Sequence, residues 1–270
     1  MVSNLTKSRI IEYLNAGKRF DSRGVFDFRD LKIETGISNH AEGSARVKLG
    51  KTEILAGIKI GTAEPYTDSE DAGVLTTTAE LSPLSSSKFE YGPPGIESIE
   101  LARIVDRGIR ESGMIDFKKL CIKEGEKVYS IYLDIYPINH DGNLIDAAAI
   151  ASVAALLTSK MPKVDDEGNV QFGEWTNKGI PLTKNIPTTL TFYKIGKHIL
   201  LDPVIEEEES SDARVSIAIS HDKKPMIHAM QKGGYESFTK DEMFKIIDEA
   251  AKKSKEIFNQ INKQVKVENE

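Results

Sequence analysis

Residues 141–157 read DGNLIDAAAIASVAALL, and this stretch constrains the fold more than any other. It follows an apolar, strand-like run and opens on a turn signal, Asp141-Gly142-Asn143. No charge follows Asp146. Ala147, Ala148, Ala149, Ala151, Ala154 and Ala155 let neighbouring elements approach closely, while Ile150, Val153, Leu156 and Leu157 supply bulk. A helix that is apolar all round must be buried on every side, and this one is too short and too rich in alanine to span a bilayer. A strand, a tight glycine turn and a buried helix start together form a place where an anion could sit. Whether one does is the main question this sequence poses.

A chain of 270 residues makes one large domain or two intimate ones. The formal net charge of −6 argues against a globally basic nucleic-acid binder, although not against a local basic patch. Cys121 is the only cysteine, so there is no disulfide framework and no all-thiolate metal site. MVSNLTKSRI has no apolar signal core, and no apolar run reaches membrane length. The expectation is a cytoplasmic protein with no membrane contact.

The spacing predicts a short amphipathic helix over 5–16, with Gly17 past its end. The polar turn RFDSRG follows at 19–24. Two or three antiparallel strands are expected over 36–60, with Val47, Leu49, Ile54, Leu55, Ile58 and Ile60 inward. A further strand is expected over 74–84, then a Ser/Gly/Pro-rich loop over 85–95. A helix over 96–112 carries the stripe Ile99, Leu101, Ala102, Val105 and Ile109. Strands over 120–122 and 127–138 lead into the buried helix. The polar stretch 161–185 reads as a seam between halves. A hairpin across Gly196-Lys197, strands over 214–220 and 225–231, and a long helix over 239–265 complete the chain. That last helix opens on a capping box, Thr239 with Glu242. The order is that of an α+β fold, with a mixed sheet and helices on one face.

Several motifs carry little chemistry. His40-Ala41-Glu42 matches one half of a zinc deaminase signature, but one cysteine cannot supply the other half. No G-x-S-x-G, Walker lysine motif or G-x-G-x-x-G is present. The four glutamates at 206–209 read more simply as a solvated run than as a metal site. Arg103, Arg107 and Arg110 have helical spacing and share one face. A guanidinium row fits the phosphates of a nucleic-acid backbone. The competing account is local pairing: Glu100 with Arg103, Asp106 with Arg110, and Glu111 with Arg107.

RFDSRG, ARVKLGKTEILAGIK, ELSPL with its Pro/Gly loop, IELARIVDRGIRES and YLDIYPINHDGNLIDAAAIASVAALL follow one order along the chain. This order resembles the RNase PH family of phosphorolytic exoribonucleases. More narrowly, it is similar to the non-catalytic RNase PH-like subunit of the archaeal exosome. The most specific motifs are GPP ahead of IELAR-x-VDR, and DGN-x-x-DA-x-x-ASVAAL. The resemblance implies an RNase PH-like fold, of the ribosomal protein S5 domain 2-like type, with two βαβα halves of mixed sheets and packed helices. The implied division is an N-terminal helix and arm over 1–30, a first half over 31–162, a connecting segment over 163–187 and a second half over 188–266 that ends in the long helix.

Catalytic members of that family bind inorganic phosphate on a Gly-Thr/Ser-Arg turn. The matching positions are Gly142, Asn143 and Leu144, and a leucine offers neither charge nor donor. The family's acidic residue after the hairpin falls on Arg214, which cannot act as an acid. The paired arginines before IEL fall on Ile96 and Glu97. The resemblance therefore implies no catalytic residue, no metal and no cofactor in this chain. It implies RNA contacts from Arg103 and Arg107, with Arg110 beside them. It also implies a catalytic RNase PH-like partner, three heterodimers in a hexameric ring, RNA-binding cap subunits and single-stranded RNA in a central channel. The alternative is an active phosphate-dependent 3′–5′ exoribonuclease with a displaced site that uses Asp202 or Asp212 as its acid.

Overall fold

The computed structural model describes residues 3–165, 167–221 and 224–265, so positions 1, 2 and 266 of the expected segments lie outside the described residues. Helix α1 (Asn4–Asn15) begins at Ser3, whose side chain accepts from the Thr6 amide. It packs Ile10 and Leu14 against the far end of the chain's second sheet.

Period-two alternation builds the first sheet. Strands β1 (Leu31–Thr35), β2 (Gly43–Leu49) and β3 (Thr52–Ala63) form an antiparallel meander. β4 (Val74–Ala79) lies parallel to the long β6 (Lys127–Asn139), and the short β5 (Cys121–Lys123) pairs antiparallel with β6. The order is β1-β2-β3-β6-β4, a mixed sheet. On β3, Ile54, Ala56, Ile58 and Ile60 are buried. Leu55 points to the opposite, half-exposed face, which corrects the expectation that it faces inward. The pleat allows no other outcome beside Ile54. β4 stops at Ala79, short of the expected end, and a polar segment follows it.

Helix α2 (Ile96–Ser112) and helix α3 (Leu144–Leu157) cover the inner face of this sheet, α2 packing on β4 and α3 on β2 and β3. α3 is the expected buried helix: every residue from Leu144 to Leu156 is buried. Its alanines permit close contact, and Gly43 on β2 completes it. A Cβ there would collide with Ser159 and with the Ala155 carbonyl at the end of α3. On α2, Ile99 is exposed, and Ile104 takes the buried place expected for it.

The stretch 161–185, expected to be a seam, contains a hairpin of β7 (Lys160–Val164) and β8 (Val170–Gly179). The second sheet is β10-β9-β11-β12, antiparallel throughout. It comprises β9 (Pro187–Ile195), β10 (His198–Leu201), β11 (Ala213–His221) and β12 (Pro225–Gly234). β9 and β11 are buried almost completely and show no alternation, because helices lie on both faces. Thr189, Thr191 and Ala218 face α2 and α3. Helix α5 (Lys240–Gln264) packs on β9 and β11 and reaches β1. The expected Thr239–Glu242 capping box opens it. Helices α2 and α3 thus lie between two sheets, rather than on one face of a single sheet.

The run 206–209, expected as a solvated loop or helix start, does form a short helix, α4 (Ile205–Glu209), but it is not solvated throughout, because Glu207 is fully buried. Burial is tolerable because Arg19 of RFDSRG, itself 2 % exposed, meets it with two hydrogen bonds of 3.0 and 2.5 Å. Arg19 also donates to the Leu201 and Asp202 carbonyls. A buried pair of this kind is costly to break by halves. Replacing Arg19 with Met is expected to cost about 3–5 kcal/mol in urea unfolding, and adding Glu207→Leu to recover a substantial part of it.

Candidate functional site

The turn between β6 and α3 is built around two consecutive residues of positive φ, Gly142 at 87° and Asn143 at 57°. Glycine is required at the first. A Cβ there would stand 2.5 Å from the Pro203 carbonyl oxygen, so the chain entering α4 is in direct contact with the turn. Thr52 Oγ1 donates to the Gly142 carbonyl at 2.6 Å. Arg29 donates to the carbonyls of Asp141 and Gly142 at 2.8 and 3.0 Å.

Asn143 is held in the left-handed region by what its polar atoms touch. Its Nδ2 donates to Asp146 and to Asp202, each at 2.9 Å. Asp202 also has positive φ and is fully buried. Arg29 grips it from Nε and Nη2, at 2.9 and 2.8 Å, and Arg23 adds 3.0 Å. Asn143 therefore links one carboxylate that has two arginines to another, Asp146, that has none. Burial pushes the Asp146 carboxyl up to about 7, against the hydrogen bonds from Asn143 and Thr191 that favour its charged form.

Beside this turn lies a cavity of about 280 Å³. Leu144 and Arg214 line it together with Glu97, Glu100, Glu208 and Glu209. The structure thus brings to one place three positions at which the resemblance implies a departure from the phosphate-binding pattern: Leu144 from α3, Arg214 from β11 and Glu97 from α2. Ile96 is exposed and stays outside. Arg214 pairs through Nη2 with Glu100 at 2.6 Å, and its buried Nη1 has no hydrogen-bond partner among the described residues. Lys88 pairs with Glu209. The Asn143 amide donates to Glu208 Oε2 at 2.7 Å, and Tyr193 Oη donates to Glu208 Oε1 at 3.2 Å. His140 stacks on Phe89 with ring centroids 5.6 Å apart, and burial lowers its pKa.

The acids of the alternative reading are elsewhere or engaged. Asp202 is locked by Arg23 and Arg29. Asp212 accepts from Lys7 at 2.5 Å and from the Gly196 amide at 2.7 Å. Burial pushes Asp212 up, but these bonds outweigh it and hold the carboxyl below its usual range. Neither lines the cavity. His40 is exposed, whereas Glu42 is buried against Lys59 and the Ile60 amide, so the two do not act together.

The arginine row on α2 divides. Arg103 is exposed and makes no hydrogen bond or ion pair among the described residues. Its expected competitor, Glu100, is taken by Arg214. Arg107 donates to the neutral Gln231 at 3.1 Å and does not meet Glu111. Arg110 forms the anticipated pair with Asp106, through bonds of 3.0 and 2.9 Å, and donates to the Leu75 carbonyl. Arg29 escaped the reading of the sequence; Arg19 entered it only within RFDSRG, Asp202 only as an alternative acid, and Glu207 and Glu208 only as members of the glutamate run, so their contacts here were not anticipated. Their partners lie up to 188 positions away, so no local pattern announces them.

The mixed first sheet and its helical cover agree with known proteins. Residues 27–162 match the model of the 3′ exoribonuclease family, domain 1, and residues 185–253 match that of domain 2. The chain belongs to the 3′ exoribonuclease, or RNase PH, family. Among relatives of this RNase PH chain is the exosome complex component Rrp42 of Methanosarcina acetivorans. It is 44% identical over 258 residues, covering 95% of this chain and 93% of the relative. The component of the same name from Methanothermobacter thermautotrophicus is 42% identical, covering 97% and 96%. A solved structure described as the Archaeoglobus fulgidus exosome with RNA bound to the active site matches with a TM-score of 0.86 and 38% identity, over 94% of this chain and 98% of that one. An archaeal exosome core matches with a TM-score of 0.83 and 34% identity, over 96% of each. The α+β, RNase PH-like fold expected from the sequence is the one observed. Among the described residues, no helix is long and apolar enough to cross a membrane.

The Asp146 carboxyl generates a pH prediction. Unfolded, it releases its proton near 3.8; folded, it holds that proton to about 7. The stabilisation supplied by the neutral group is complete below the lower value and is lost as pH rises through the higher one. Stability measured by urea unfolding should therefore fall between these values, by at most about 4 kcal/mol. Asp146→Asn keeps the acceptor for Asn143 and Thr191 and should flatten that slope.

Proposed function

We propose that this chain is the non-catalytic RNase PH-like subunit of an archaeal-type exosome ring, acting in phosphorolytic 3′–5′ RNA degradation without chemistry of its own. The observation that carries the reading is the cavity at the start of α3. In the position where a phosphorolytic enzyme needs a basic cradle for inorganic phosphate, this chain gathers Leu144, Glu97, Glu100, Glu208 and Glu209, and its one arginine, Arg214, is paired with Glu100. A carboxylate-lined cavity repels both the attacking phosphate and the RNA 3′ end. The relatives named exosome complex component Rrp42 support the same assignment.

In this reading the subunit serves a catalytic RNase PH-like partner. Three such heterodimers close a ring, cap subunits that bind RNA sit on it, and single-stranded RNA follows the channel. Arg103 and Arg107 are the channel contacts of this chain. Both are exposed, and neither is neutralised by a carboxylate among the described residues. Their guanidinium groups suit phosphate oxygens, so the contact is independent of RNA sequence. Arg110 is committed to Asp106 and Leu75, and contributes to the field of the helix more than to a direct bond. A cytoplasmic location fits this role.

The test uses the ring assembled from this chain and its catalytic partner. Arg103→Glu with Arg107→Glu should weaken RNA binding by at least about tenfold near 0.1 M salt and flatten its salt dependence, since each phosphate contact releases counterions. Ring assembly, followed by light scattering, should be unaffected. Unchanged RNA affinity would return both arginines to a structural role. Failure of the wild-type chain to join a catalytic partner would remove the proposal itself.

A further inference from the structure

We infer that Glu208 occupies the anion position of the 142–144 turn with its own carboxylate, so that the chain carries an internal replacement for phosphate. The inference rests on the reading above that this chain performs no phosphate chemistry, and it says what fills the position instead.

The backbone of the turn retains its anion-binding form. Gly142 and Asn143 both have positive φ, and the Asn143 amide points to an anion. That anion is Glu208 Oε2, at 2.7 Å. Its second oxygen is not free either, because it accepts from Tyr193 Oη at 3.2 Å. Tyr193 is buried, and burial raises its pKa well above the ordinary value, so the phenol remains a donor at any physiological pH.

The carboxylate is delivered by a rigid support. Glu207, the preceding residue, is clamped by Arg19, and the chain leading into α4 contacts Gly142. The Glu208 backbone is therefore anchored one residue from a buried ion pair. The nearby cations are already engaged: Arg29 with Asp202 and the turn carbonyls, Lys88 with Glu209 and Arg214 with Glu100. An incoming phosphate would meet the Glu208 charge, and each of these three cations already neutralises a carboxylate of its own. Two consequences follow. The turn amide is satisfied from within the chain, and inorganic phosphate is shut out even though the glycine of the cradle survives.

The experiment follows the Asn143 and Leu144 amide resonances of the full chain during titration with inorganic phosphate, against sodium chloride at equal ionic strength. Wild type should show no saturable shift. Glu208→Ala should bind phosphate at least about tenfold more tightly than wild type, the factor that one charge-assisted hydrogen bond supplies. Glu208→Gln keeps the shape and loses the charge, so a smaller tightening is expected. It carries the same test should the alanine variant fail to fold. Equal phosphate responses in wild type and a folded variant would overturn the inference. Phosphate-dependent RNA cleavage by the wild-type chain would instead refute the non-catalytic reading, whatever the variants bind.

Discussion

Everything around the start of α3 depends on one buried arrangement of charge. Arg19, Arg23 and Arg29, all from the segment after α1, converge on Asp202 and Glu207. A buried carboxylate without a partner is severely unfavourable, so these ions fix one another's positions. Asp202 adopts its positive φ because three donors, Arg23, Arg29 and Asn143, hold its side chain. Through Asn143 the same network reaches the turn, and through Glu207 it orients α4. The N-terminal arm is thus a clamp that ties the second half of the chain to the most buried helix of the first.

The clamp explains how the turn holds its shape without an external anion. An enzyme that loses its ligand commonly leaves unpaired backbone amides in a buried place, and these are expensive. Here the amide of Asn143 has Glu208, and the carbonyl of Gly142 has Thr52 and Arg29. On the non-catalytic reading proposed above, the fold serves as scaffold, with its own carboxylate at the anion position. Because Asp146 is buried with no cation beside it, its carboxyl holds its proton up to about pH 7.

Much of the architecture was legible in the sequence, because it is written in periodicity. The uniform small apolar pattern of 144–157 announces a helix buried on all sides, and α3 is that helix. The bounds of α2 and the capping box of α5 follow from local rules. The departures at Leu144, Arg214 and Glu97 could be read one by one, but not that they share a cavity. Nothing in four consecutive glutamates reveals that one pairs with Arg19, the next with a turn amide and the last with Lys88. Charge runs look solvated until the fold supplies distant partners. The same logic split the arginine row: only the structure shows Glu100 turning to Arg214, which leaves Arg103 open.

The proposed division of labour rests on these contacts: a closed anion position in this chain, the exposed Arg103 and Arg107 for the RNA, and a rigid neighbour for the catalytic partner. The most direct measurement is the release of nucleoside diphosphates from a 3′-tailed RNA by the purified chain, supplied with inorganic phosphate and no partner. The account predicts none above a protein-free control, with release appearing once a catalytic RNase PH-like subunit is added. Phosphate-dependent release by the chain alone, at a rate proportional to its concentration, would contradict it.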